Sequence, residues 1–217
     1  AIYNAWNANT QIEGLKTYAL GTDVKSYRIT TTFRLTKASA ELTGMFYSNR
    51  FRSVQKNLLD FSLCHSNLFP DGGGVIYYYT QDYTNGIVSG TGLNIVRQVV
   101  DEFTKNYPKR SLAIISPFND TVKQLQKTFL TETSLQDFII ETIDRIQGMT
   151  VDYAILYIPG RNPGFALDER RFNVATSRSR STTLIISDIP LTNMYSLSSK
   201  VAAFIKKCSS LGNKKEI

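Results

Sequence analysis

Histidine is nearly absent: His65 is the single copy in 217 residues, so no site built on several imidazoles can form. Cysteine is almost as scarce. Cys64 and Cys208 are too few for a disulfide framework and suit a reducing intracellular compartment such as the cytoplasm. Cys64 and His65 are neighbours in sequence and would point apart in a strand, so they form no dyad. No apolar run reaches the ~18 residues of a membrane span, and no signal-peptide pattern opens the chain. There is no Gly-x-x-x-x-Gly-Lys-Ser/Thr loop, no Gly-x-Gly-x-x-Gly after a strand and no Ser/His/Asp set. These absences argue against a multi-histidine metal centre, a disulfide scaffold and a stand-alone Rossmann-like enzyme. No metal-ligating residues are assigned.

What remains is ordinary for a globular protein, with 42% hydrophobic and 20% charged residues. The length suffices for one α/β domain with a real core. Lys and Arg total 25 against 18 Asp and Glu, a net charge of +7 and a pI near 9.4. Such an excess fits a polyanionic partner, or a plain basic protein with a solvated surface. The first residue is Ala, as in a piece of a longer chain.

Residues 1–25 mix polar and aromatic side chains without a period and read as a linker or the end of a preceding domain. Trp6 there is a packed anchor or a base-stacking ring. Ser26 to Phe33 alternates like a strand, and Ala38, Leu42, Met45 and Phe46 follow with helical spacing. Residues 50–73 read as loop, ending in Gly72-Gly-Gly74, a flexible turn that precedes a strand over Val75 to Thr80. Ile95 to Phe103 marks a helix stopped by Pro108, and Leu112 to Ile115 a buried strand. Ser116-Pro117-Phe118 turns that strand into a helix carrying Val122, Leu125 and Phe129 on one face. Phe138 to Ile143 is another strand. Tyr195 to Lys207 is a last helix before a polar tail with Lys214 and Lys215.

The chain is organised around Glu141 to Asp188. Tyr153 to Ile158 and Thr183 to Ile186 are short apolar runs, as central parallel strands are. Asp168 is placed to cap a helix between them, with Leu167 and Phe172 as a hydrophobic staple. Arg171 and Arg178, seven apart, would share one face of that helix. Two arginines facing one way near a sheet edge suit polyphosphate recognition.

Two stretches carry a family resemblance. Thr142-Ile-Asp-Arg-Ile-Gln-Gly148 resembles motif V of superfamily 1 helicases, and Arg171-Phe-Asn-Val-Ala-Thr-Ser-Arg-Ser-Arg180 resembles their motif VI. The nearest pattern is the branch of the nonsense-decay helicase and its DNA-repair relatives. Arg34, at a strand end ahead of a helix closing in Phe46-Tyr47, resembles a further arginine of that family, although Thr36-Lys37 replaces its usual His-Pro. Arg34 as a surface ion-pair partner is the plainer alternative. Ser116-Pro117-Phe118 resembles motif IV, or is only a strand-to-helix turn.

The resemblance implies a RecA-like, P-loop-NTPase-like α/β fold: a mainly parallel sheet with helices on both faces. It implies a second RecA-like motor domain over residues 26–192, then a C-terminal helix and flexible tail over 193–217. ATP and Mg²⁺ would be bound only together with the N-terminal RecA-like domain, which carries the phosphate loop. Arg34 and Arg178 would reach the γ-phosphate, with Gln147, Gly148 and Arg171 near the nucleotide. Ser116, Pro117 and Thr142 would follow single-stranded DNA or RNA. All these positions fall after predicted strands, which points to one working edge of the sheet. Where the family often has Gln-Gly-x-Glu, with the glutamate on the nucleotide sugar, this chain has Thr150. A nucleic-acid-binding module that has lost ATPase coupling is therefore the alternative.

Overall fold

A computed structural model of the chain describes residues 30–47, 50–55, 59–82, 87–130, 137–194 and 197–212. Trp6, most of the expected 26–33 strand and Lys214-Lys215 lie outside the described residues. The chain divides into two compact units, residues 1–30 and 31–217. Every element below belongs to the second.

Chain order begins with β1 (Thr31–Thr32), α1 (Lys37–Gly44), a single 3₁₀ turn at Met45–Tyr47 and β2 (Arg52–Ser53). β1 and β2 pair parallel as a small sheet of their own. Then come β3 (Gly74–Tyr79), α2 (Gly90–Asn106), β4 (Leu112–Ser116), α3 (Asn119–Phe129), β5 (Phe138–Thr142) and β6 (Val151–Ile158). The chain continues through α4 (Pro163–Ala166), α5 (Glu169–Thr176), β7 (Ser179–Ser187) and α6 (Ser199–Gly212). The main sheet has the order β3-β7-β6-β4-β5, parallel at every pairing. The expected mainly parallel α/β architecture is what forms.

Strand periodicity sends alternate side chains to opposite faces. Ile115, Leu156 and Ile185 join Phe172 of α5 and Phe204 of α6 on one face. Ile114, Ile155 and Ile186 join Val99 of α2 and Leu125 of α3 on the other. β6 lies at the centre, with all eight of its residues buried. That explains why Tyr153 to Ile158 is a continuous apolar run rather than an alternating one. Phe172 packs edge-on to Phe204, with centroids 5.1 Å apart; truncating such a ring to Ala costs about 3–5 kcal/mol.

Polar pairing closes the carboxyl end of the sheet. Asp188 is buried and accepts from the Thr80 hydroxyl at 3.0 Å, the Ser89 hydroxyl at 2.6 Å and the Tyr157 hydroxyl at 2.5 Å. Gly92 must be glycine here, because a Cβ would sit 2.5 Å from the Tyr157 hydroxyl oxygen. Among the described residues no helix is long and apolar enough to cross a membrane.

Candidate functional site

The register separates the two ends of the sheet. Ser116 and Thr142, the last residues of β4 and β5, are paired at the carboxyl end. Val151 and Ser179, the first residues of β6 and β7, are paired at the amino end. Arg178 and Thr150 immediately precede Ser179 and Val151, so both lie at the amino end. The expectation of one working edge is thus corrected: the chain crosses the sheet between Thr142 and Val151, and the site residues divide between two ends.

At the amino end two guanidiniums converge on one loop. Arg34 donates from Nη1 to the Thr150 hydroxyl at 3.1 Å. Arg178 donates from Nη1 to the Met149 carbonyl at 3.5 Å, from Nε to the Val174 carbonyl at 2.7 Å and from Nη2 to the Ser177 hydroxyl at 3.0 Å. Val174 lies in the last turn of α5, where unsatisfied carbonyls favour a cation. Burial, and after it the charge of Arg180, draws the Arg34 guanidinium below its usual range; burial and then Arg34 do the same to Arg178. Both stay protonated at neutral pH. Neither forms an ion pair with a carboxylate among the described residues, whereas Arg180 pairs with Asp152 at 3.5 Å.

Local structure corrects the helix reading of this segment. Asp168 caps α5 as expected, accepting from the backbone of Arg170 at 3.2 Å and Arg171 at 3.1 Å. The helix ends at Thr176, with Ser177 as C-cap, so Arg178 lies past it and Arg180 is already in β7. The helix stops because Ser179 must start β7 against Val151. Arg171 and Arg178 therefore do not share a helix face. Arg171 sits in the first turn, 3.7 Å from Asp144 and with its guanidinium 4.1 Å from the Phe165 ring centroid.

Gln147 and Gly148 are exposed in the turn that leads to Thr150. Gly148 has φ +91° with open space around it, so glycine serves the turn rather than a close approach. At the carboxyl end Ser116, Pro117 and Thr142 are buried, and the Ser116 hydroxyl has no hydrogen-bond partner. The more accessible groups there are others, with Phe165 exposed and Phe118, Arg161 and Arg171 half-buried. Phe118 and Phe165 stack with centroids 5.8 Å apart, Arg161 lies 4.8 Å over Phe118, and Arg171 lies over Phe165. Sequence reasoning missed this group; its members are spread from 118 to 171 and only the fold unites them.

The profile of the AAA-domain family matches residues 36–190, a span that holds Thr150, Arg178 and all seven strands except β1. The chain belongs to the AAA-domain family. Among curated relatives, DNA polymerase alpha-associated DNA helicase A of Saccharomyces cerevisiae is 35% identical over 100 residues, 44% of this chain and 15% of that protein. A probable helicase of Dictyostelium discoideum is 34% identical over 96 residues, 40% of this chain and 10% of that protein. This AAA domain thus spans a small part of the curated relatives it matches, and both carry helicase names, as the motif resemblance does. Among solved structures, the C-terminal domain of a possible DNA helicase from Lactobacillus plantarum aligns with a TM-score of 0.44 and 16% identity, covering 79% of this chain and 92% of that one.

Proposed function

We propose that this chain is the C-terminal motor domain of an ATP-dependent superfamily 1 helicase acting on single-stranded DNA or RNA. The observation that carries the reading is the convergence of Arg34 and Arg178 on Met149 and Thr150, without carboxylate ion-pair partners among the described residues. Two guanidiniums held 116 and 29 positions from their loop partners fit an anion with several oxygens. A nucleotide phosphate is such an anion, and its hydrolysis is the chemistry that ATP supplies. Arg34 and Arg178 bind and orient phosphoryl oxygens, with Gln147 and Gly148 beside them on the turn.

The remaining half of an ATP site comes from the N-terminal RecA-like domain. This chain has no Gly-x-x-x-x-Gly-Lys-Ser/Thr loop. No group of three or more His, Cys, Asp or Glu suited to a metal ion occurs among the described residues. The residues present fit phosphate and not Mg²⁺, so the partner domain holds the metal. Phe33 is 80% exposed next to Arg34, and Met149 is 44% exposed next to Thr150. That apolar surface suits a docked domain. Closing of the cleft on the arginines then couples to the opposite end of the sheet through β4, β5 and the turn after Thr142.

The second reading is a binding module without ATPase coupling, favoured by Thr150 standing where the helicase pattern often has glutamate. Oligonucleotide affinity of the protein with both motor domains, measured with and without a non-hydrolysable ATP analogue, separates the two. A shift supports the motor; affinity indifferent to nucleotide supports the binding module.

A further inference from the structure

The carboxyl end of the sheet carries a second arginine pair, built on different principles. Phe118 follows β4; Arg161 and Phe165 follow β6, the neighbouring strand; Arg171 opens α5. Each ring has a guanidinium over it and the other ring stacked beside it. The aromatic faces are taken up by the stack, so they are poorly placed as platforms for bases. Their effect is on the arginines. The Nε atoms of Arg161 and Arg171 are buried and make no hydrogen bond. Ring packing therefore helps fix both guanidiniums, in side chains that are each 36% exposed.

Carboxylates hold the place of a ligand. Asp120 accepts from Arg161, and Asp144 lies 3.7 Å from Arg171, itself 71% exposed. A planar guanidinium that binds a surface carboxylate binds a phosphate with the same fork. We infer that Arg161 and Arg171, oriented by the Phe118–Phe165 stack, are a phosphate clamp for the backbone of single-stranded nucleic acid, with Asp120 and Asp144 as internal competitors that the phosphates displace. The inference rests on the single-strand binding proposed above and adds the residues that perform it. It also gives the buried Ser116 and Thr142 a different part: they end the strands that position the clamp.

The test is binding of labelled oligo-dT and oligo-rU by this chain across a range of salt. Replacing Arg161 or Arg171 by Gln is expected to weaken binding and lower the slope of log affinity against log salt by about 0.7 each. Asp120→Asn and Asp144→Asn are expected to tighten binding about two- to fivefold, the range an exposed ion pair spans. A gain in affinity cannot come from misfolding. Both polymers should respond alike, since the backbone is what is held. If the unaltered chain binds with a normal salt dependence and all four variants match it, the clamp is wrong and the proposed function stands. Effects confined to one polymer would overturn the backbone assignment. If the unaltered chain shows no salt-dependent binding, both the clamp and the nucleic-acid half of the proposed function fall.

Discussion

Arg34 and Arg178 are anchored on consecutive residues of one loop, Arg34 on the Thr150 hydroxyl and Arg178 on the Met149 carbonyl. The two arginines are 144 positions apart by their numbers (178 − 34). Burial first, and then the charge of Arg34, lowers the proton affinity of Arg178. Two like charges set side by side raise the local positive potential, which attracts anions.

Two glycines should respond very differently to a methyl group. Gly73 has φ +69°, and a Cβ there would lie 2.3 Å from the Ser181 carbonyl oxygen. Gly148 has φ +91° in open space. Gly148→Ala should cost only the left-handed strain, about 1–2 kcal/mol. Gly73→Ala adds a backbone clash and should cost well above that, or prevent folding. Urea melts of the two variants check this; equal destabilisation would contradict it.

The strands of the main sheet and the α5 cap were legible because each depends on local sequence, whereas the two-residue β2 (Arg52–Ser53) lies in a stretch that read as loop. β6 and β4 are buried on both faces, so Tyr153 to Ile158 and Leu112 to Ile115 are continuous apolar runs. Asp168 announces a helix start by its own side chain. The end of that helix was not legible: Thr176-Ser-Arg-Ser-Arg180 contains no Gly or Pro, and the helix stops because Ser179 pairs with Val151. The division of the site between two ends of the sheet was hidden for a similar reason. The crossing from Thr142 to Val151 is a turn with no apolar period. The short α4 is held by packing of Ala166, its last residue, and of the following Leu167 in the core.

Removal of one donor from the buried carboxyl-end network should be measurable. Tyr157 donates to Asp188 and its hydroxyl accepts from the Ser89 backbone at 2.9 Å. Burial, and then the bond to Asp188, holds its phenol protonated well past the usual range. Tyr157→Phe leaves both partners short of a bond and should lose about 1–3 kcal/mol in denaturant unfolding. An unchanged midpoint would count against the network.

Alkaline pH should destabilise the fold in part through Cys208. Burial pushes its thiol up to about 12. The native state keeps this proton while the unfolded chain releases it, so stability is full below the unfolded thiol's range and falls as pH rises toward 12. Burial also pushes Tyr77 up to about 12, with the same sign. The stability difference between neutral pH and pH about 10 should be smaller in Cys208→Ala than in the parent. Identical pH dependence in the two proteins would refute this.

The capping bond of Asp168 supports both arginine sites, since α5 carries Arg171 in its first turn and leads to Arg178. Asp168→Ala should cost about 1 kcal/mol and should loosen the Arg171–Phe165 contact. Thermal unfolding reads the first effect and oligonucleotide affinity the second. A cap that proved silent in both would show that core packing of Phe172 alone sets α5.

Arg178 carries the central claim. It is held at the amino end by Val174, Ser177 and Met149, while its nearest competitor Arg180 is engaged by Asp152. Lysine keeps the charge but not the planar fork. The most direct measurement is nucleic-acid-stimulated ATP turnover by the protein that joins this chain to its phosphate-loop domain, in Arg178→Ala, Arg178→Lys and Arg180→Ala variants with circular dichroism as the folding control. Both Arg178 variants should lose about 10³-fold or more in turnover while staying folded, and Arg180→Ala should lose much less. Near-normal turnover in folded Arg178→Lys, or greater damage from Arg180→Ala, would contradict the assignment.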